Sequence, residues 1–352
     1  MNERYLKMFN ELKDERQNIR THEKNSRVLI VDGTNTFIRC WSVIPSMNED
    51  GEHVGGVVGT LKSIGYAIKQ VKPTRVVVVF DGRDGSKERK KIFKDYKKDR
   101  NLNKLRVNRQ YADLMTDEDE KESRKRQYVW LAYILQDLPV TTMIYDGVEA
   151  DDVMAYVGTQ LLDENEQAVY MSTDKDFLQL VNDKDIVWSP TKKIIYTKEE
   201  IEKEYHGLKP SNMLVYRVLD GDTSDKIPGV KGVGLKTLIK RFPELTTDKG
   251  ITVDDLVNIA EEKSKESKIK LYKVIAEAKD QIYMNRRLMQ LKEPKFSASI
   301  KSKIRNQFTD KTIKPLNKVD FIKICMKYKI GHAFGKDALN WLNTTYGTLV
   351  TD

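Results

Sequence analysis

Nine carboxylates stand in five short strings whose residue types suit the capture of divalent cations. Asp32 lies in VDGTN and Asp81 in VVFDG; Glu149, Asp151 and Asp152 belong to EADD; Asp174 and Asp176 lie in STDKD; Asp222 and Asp225 lie in GDTSD. Glu149 and Asp152 are three residues apart, which places them on one helix face, and Asp222 and Asp225 have the same separation. Asp174 and Asp176 straddle a predicted helix start, where the helix dipole favours negative charge. Gathered in one pocket, these acids could not all stay ionised alone, because like charges raise one another's pKa values. Divalent cations relieve that repulsion, and a set of oxygen donors without Cys or His points to Mg²⁺ or Mn²⁺ rather than Zn²⁺. Two such ions roughly 3.5–4 Å apart support in-line phosphodiester hydrolysis, one activating the attacking water and the other stabilising the leaving oxygen. A lone Asp-Gly after a strand is ordinarily a turn, and a lone EADD is ordinarily a capped helix start. Five such strings, each at an element boundary, are not explained by turn chemistry.

The charge distribution supplies a partner for these acids. The chain of 352 residues has a formal net charge of +9, and residues 83–109 alone carry twelve Lys/Arg against four Asp/Glu. Nearly all of the net charge therefore sits in one short segment, as expected where a polyanion is held against a metal site. Taken alone, such a run would be a solvated charged helix; the neighbouring acids favour the polyanion. No run of 18 apolar residues occurs, which predicts no membrane span, and the charged N-terminus lacks a signal core. Cys40 and Cys325 stand in no metal-ligand spacing and read as reduced thiols in a cytoplasmic protein. The four histidines, His22, His53, His206 and His332, lie outside every motif.

Alternating elements must position the acids. Apolar runs at residues 27–31, 75–80, 140–145 and 168–171 read as buried strands, with smaller strands at 187–188 and 194–196. Helical spacing covers residues 36–44, 57–71, 121–137 and a segment beginning at Glu149. This order predicts an α/β fold with a mostly parallel central sheet flanked by helices, whose ligands bind beyond the carboxyl ends of the strands. Residues 1–26 read as a charged helical extension, 27–206 as the α/β core, 207–300 as a second helical region and 301–352 as a C-terminal helical segment. Within the second region, residues 228–234 (PGVKGVG) interrupt the helical pattern, and the helix opening at Gly234 offers free N–H groups to a phosphate.

The order VDGTN, FDG, YKKDR, EADD, STDKDF and GDTSDKIPGVKGVG resembles the 5′-nuclease, or flap endonuclease, superfamily from about residue 27 to residue 240. WSPTKK after STDKDF is most similar to the bacteriophage 5′-nucleases, including the phage enzymes called ribonuclease H. The resemblance implies a PIN-like 5′-nuclease core with a helical arch over residues 83–125 and a helix–hairpin–helix at the Gly-rich turn. It assigns one metal ion to Asp32, Asp81, Glu149 and Asp151, with Asp152 bridging or in support, and a second to Asp174, Asp176, Asp222 and Asp225. Tyr96, Lys97 and Arg100 match the arch motif; Lys97 and Arg100 would share a helix face and stabilise charge on the scissile phosphate, beside a ring able to stack on a base. Simple phosphate attraction stands as the alternative for both cations, and it is the reading for Arg83, Lys87, Lys90, Lys91 and Lys94. Gly229, Lys231, Gly232, Gly234 and Lys236 would grip duplex backbone, with K⁺ on the loop carbonyls, so recognition would follow DNA shape rather than sequence.

The function so implied is a magnesium-dependent 5′-to-3′ exonuclease and flap endonuclease with ribonuclease H activity, manganese substituting, that removes RNA primers during replication. Its substrates would be flapped DNA and RNA–DNA duplex. Its partners could include a single-strand-binding protein, a sliding clamp or a polymerase, and the family default is a monomer in the cytoplasm, the host's if viral. A PIN-type ribonuclease on free RNA would not need the basic arch or the Gly-rich hairpin. A branched-DNA-binding protein without catalysis would not need the full acid set. A nucleoside kinase or phosphatase is disfavoured because neither a GxxxxGK[ST] loop nor a Ser/His/Asp arrangement is present.

Overall fold

The computed structural model describes residues 26–98, 116–309 and 316–349. Nearly all of the expected N-terminal extension, and the part of the arch that carries Arg100, lie outside the described residues. A six-stranded sheet forms the centre, in the order β3-β2-β1-β4-β5-β6. Its strands are β1 (Arg27–Asp32), β2 (Arg75–Asp81), β3 (Thr141–Tyr145), β4 (Gln167–Met171), β5 (Ile186–Ser189) and β6 (Ile194–Tyr196). The first five pair in parallel and β6 closes the edge antiparallel to β5. Helices α1 (Gly33–Val43) and α2 (Gly55–Val71) join β1 to β2. The link from β2 to β3 includes α3 (Lys87–Ile92) and α4 (Asp117–Gln136), and α5 (Ala150–Tyr156) opens the crossover to β4.

Parallel strands covered on both faces need apolar residues at every position, and β1 and β2 have them. Val28, Ile30, Val77 and Val79 enter one core; Leu29, Val31, Val76 and Val78 enter the other. The remaining helices are α6 (Lys198–Glu204), α7 (Met213–Asp220), α8 (Leu235–Arg241), α9 (Val253–Glu266), α10 (Lys270–Glu277), α11 (Lys279–Met289), α12 (Ala298–Thr309), α13 (Lys318–Lys327) and α14 (Ala338–Thr345). Helices α6 to α12 extend the first core without a break at residue 206, reaching Ile304 and Phe308. Helices α13 and α14 instead join α1, α2 and α4 on the other face through Phe321, Cys325, Leu342 and Tyr346. The two cysteines are buried and unbonded, and among the described residues no helix is long and apolar enough to cross a membrane.

The strand order reverses direction between β1 and β4, which are neighbours in the sheet although β2 and β3 intervene in sequence. Such a switch point opens a crevice at the carboxyl ends of the two strands. Asp32 ends β1, and Asp174 follows β4 by three residues.

Candidate metal centre and nucleic-acid interface

Each acid is held by a local device. Asp32 caps α1, accepting from the Asn35 N–H at 2.9 Å, and receives the Ser172 hydroxyl at 3.3 Å across the crevice. Asp81 ends β2 and accepts from the Ala150 N–H at 2.8 Å, which ties β2 to the start of α5. Glu149 is the N-cap of α5, and Asp151 and Asp152 lie in its first turn, where the helix dipole favours acids. Asp174 caps the short 3-10 helix Lys175–Leu180 by accepting from the Asp176 N–H at 2.8 Å.

The expected helix face for Asp222 and Asp225 is not formed. Helix α7 ends at Asp220, and the chain turns at Gly221, whose φ is 73°. Asp222 then folds back: one carboxylate oxygen accepts from the Ser224 N–H at 2.7 Å and from the Asp225 N–H at 3.1 Å. The loop is pinned by paired backbone bonds between Asp222 and Ile227. A separation of three suits an Asx turn as well as a helix, and Gly221 decides between them.

Electrostatics distinguish the acids. Burial, then Asp81 and Asp174, push Asp32 up to about 7. Asp151 is also raised, by burial first and then by Asp32 and Asp174. Burial and Asp174 bring Asp176 to about 7, although Arg217 opposes them. For Glu149 burial would raise the pKa, but Arg89 and Lys97 outweigh it and hold the carboxyl below its usual range. Asp32, Asp81, Asp151 and Asp174 therefore lie close enough to repel one another strongly.

Cations from elsewhere in the chain lie among these acids. Arg89, from α3, donates to both oxygens of Asp152 at 2.6 and 2.8 Å, to Glu149 at 2.9 Å and to the Leu288 carbonyl at 2.8 Å. Lys97 Nζ lies 3.0 Å from the other Glu149 oxygen. Arg217 donates to Asp176 and Asp222. Among the described residues, no three His, Cys, Asp or Glu side chains stand together as a finished ligand set. Guanidinium and ammonium groups engage Glu149, Asp152, Asp176 and Asp222. Sequence reasoning gave Arg89 and Arg217 no individual role. Arg89 is one cation among twelve in its segment, whereas Arg217 interrupts the otherwise apolar run 213–219 and could have been noticed.

Two arch expectations are corrected. Helix α3 stops at Ile92, and Lys97 lies in a turn with φ of 53°, so it stands on no helix face, while Arg100 lies outside the described residues. Tyr96 is not free to stack on a base: it is 2% exposed and donates its hydroxyl to Glu149 at 3.0 Å. Arg83 is exposed and paired with Asp146, while Lys87, Lys90, Lys91 and Lys94 are exposed. In the Gly-rich turn, Lys231, Gly232, Gly234 and Lys236 are exposed, and Gly232 has φ of 84° with open space around it. Gly229 has another task. A Cβ there would sit 2.2 Å from the Asp220 carbonyl, so the glycine lets the turn pack on the loop that carries Asp222.

Comparison with known proteins finds relatives of this chain. Residues 27–206 match the family described as 5′-3′ exonuclease, N-terminal resolvase-like domain. The 5′-3′ exonuclease of Buchnera aphidicola is 31% identical over 228 residues, covering 64% of this chain and 73% of that protein. Flap endonuclease Xni of Shewanella woodyi is 30% identical over 221 residues, covering 62% and 79%. Among solved structures, the T5 D15 protein co-crystallized with metal ions aligns with a TM-score of 0.57 at 20% identity, covering 85% of this chain and 99% of that one.

Proposed function

This chain belongs to the 5′-3′ exonuclease family and is a hydrolytic nuclease, and from that premise we propose a divalent-metal-dependent flap endonuclease and 5′-to-3′ exonuclease with ribonuclease H activity, acting in RNA primer removal. The observation that carries this reading is the convergence of Asp32, Asp81, Asp151 and Asp174 at the switch-point crevice, where burial and the neighbouring carboxylates raise the proton affinity of Asp32 and Asp151. An oxygen-only set in mutual repulsion fits Mg²⁺, with Mn²⁺ as a substitute. Asp32, Asp81, Glu149 and Asp151, supported by Asp152, would hold one ion, and Asp174, Asp176, Asp222 and Asp225 the other. When bound, the ions supply an activated water and charge neutralisation at the leaving oxygen.

The chain's own residues do the rest. Asp81 and Asp32 fix the ends of β2 and β1 to α5 and α1, which makes the crevice rigid. Arg89 joins α3 to α5 and to the end of α11, so the start of the arch is anchored beside the acids. Lys97 places its ammonium at the edge of the acid cluster, where a scissile phosphate develops charge. Exposed Lys87, Lys90, Lys91 and Lys94 attract the phosphate backbone. Lys231, Gly232, Gly234 and Lys236 present backbone and charge to duplex DNA, with K⁺ as the counter-ion of the loop. Residues 207–300 then act as the duplex-binding region, although they share a core with residues 27–206.

The test is cleavage of a 5′-labelled flap duplex and of an RNA–DNA duplex, with Mg²⁺ and with chelator. Magnesium-dependent release of short 5′ products from both supports the full reading. Release from the flap alone removes primer processing. Tight flap binding with no cutting in Mg²⁺ or Mn²⁺ replaces the nuclease reading with a structure-specific binding protein.

A further inference from the structure

The second acid cluster contains a cation of its own. The Arg217 side chain is 3% exposed. Its Nε donates to Asp176 Oδ1 at 2.7 Å and its Nη2 to Asp222 Oδ2 at 2.9 Å. Its Nη1 donates to Asp220 Oδ2 and to the Gly221 carbonyl, both at 3.0 Å. All three nitrogens are therefore engaged. Arg89 and Lys97 reach the first cluster from the arch side of the molecule, more than fifty residues from Glu149 in sequence. Arg217 instead sits on α7, the helix that leads directly into the GDTSD loop. Its bonds to Asp220 and Gly221 lie at the end of its own helix and hold the guanidinium in place irrespective of the other acids.

We propose that Arg217 is a positioning residue, a built-in cation of the second ion site that orients Asp176 and Asp222 and keeps the second divalent ion weakly bound. The inference rests on the two-ion reading above. Physically it has two parts. A planar guanidinium fixes carboxylates by directed bonds, which a point-like ammonium cannot reproduce. A fixed positive charge among the ligands also opposes an incoming divalent ion, strongly so where water is excluded. Orientation thus precedes ion arrival, and the ion leaves readily.

The experiment is a direct Mn²⁺ titration of the full chain at pH 8 without nucleic acid, following free Mn²⁺ by electron paramagnetic resonance. Wild type, Asp174→Asn, Arg217→Gln and Arg217→Lys are compared, each checked for folding by circular dichroism. Asp174→Asn loses the weaker ion. Arg217→Gln binds that ion roughly tenfold tighter or more, because the opposing charge is gone. Its kcat on a flap duplex at saturating Mn²⁺ falls while KM changes little, because Asp176 and Asp222 are no longer held. Arg217→Lys, which keeps the charge, retains Mn²⁺ affinity within about threefold yet also loses kcat. A folded Arg217→Gln with unchanged or weaker affinity for the second ion overturns the proposal. Full kcat in Arg217→Lys overturns the orienting role, and this variant decides if the glutamine variant does not fold. If Asp174→Asn still takes up two ions, the two-ion assignment itself fails, whatever Arg217 does.

Discussion

Replacing Asp32 by Asn should stabilise the metal-free protein while abolishing cleavage. The carboxyl is 5% exposed, and burial with Asp81 and Asp174 raises its pKa from 3.8 to about 7. A rise of about three units corresponds to roughly 4 kcal/mol as a ceiling, at about 1.36 kcal/mol per unit. Because the folded-state value lies above the unfolded one, the folded state binds the extra proton. The stabilising contribution is complete below about pH 4 and is lost as pH rises through about 7. At pH 8 the native state therefore carries the whole strain of an ionised Asp32. Asparagine keeps the shape, and its carbonyl can still accept from the Asn35 N–H. In chelator at pH 8 the variant should gain on the order of 2–4 kcal/mol, seen as a rise of roughly 4–8 °C in melting temperature at about 2 °C per kcal/mol. Near pH 4 the two proteins should melt within about 1 °C, since both carry a neutral group there. Magnesium should reverse the order at pH 8, because the wild type binds the ion and gains by mass action. Melting curves from pH 4 to 8, with chelator and with Mg²⁺, provide the assay. A variant no more stable than wild type at pH 8 in chelator, or equally stabilised at pH 4, refutes the argument that repulsion is stored at this residue.

Three further outcomes follow from the arch and its anchors. Lys97→Ala should lower kcat roughly 10²–10³-fold and leave flap affinity nearly unchanged; a loss in affinity with intact kcat, measured by single-turnover cleavage and by fluorescence anisotropy, assigns Lys97 to phosphate attraction instead. Arg89→Ala removes the buried counter-ion of Asp152 and leaves Glu149 with Lys97 alone, so it should cost about 3–5 kcal/mol of stability in chelator; a melting temperature within 2 °C of wild type would show that water takes over its bonds. Neutralising Lys90 and Lys91 together should reduce the slope of log affinity against log salt by about 1–2 for duplex DNA, and an unaltered slope would place the nucleic acid on another face.

Much of this arrangement was legible in the sequence because its causes are local. A buried parallel strand must be apolar at every position, so β1, β2 and β4 stand out as runs. An acid at a strand end or helix start is held by the nearest N–H groups, as Asp32 and Asp174 are, and its place follows from a few neighbouring residues. What could not be read depends on contacts between distant segments. The sequence offers twelve cations in residues 83–109 that differ little in local setting. Tertiary packing alone selects Arg89 to reach Asp152 and turns Tyr96 inward to Glu149.

Arg217 shows where the sequence carried more than its patterning revealed. In an apolar run that forms a buried helix, one arginine is costly unless it meets acids, because an unpaired buried charge loses its hydration. Its nearest acids in sequence are Asp220 and Asp222, three and five residues on. Those distances already suggest that the guanidinium serves the end of its own helix and the loop beyond it. The partner that sequence could not supply is Asp176, brought in by the packing of α7 against the 3-10 helix after β4. The same residue therefore closes the second acid cluster across forty-one positions of chain. A hydrophobicity pattern records it as an exception; the charge balance of the site requires it.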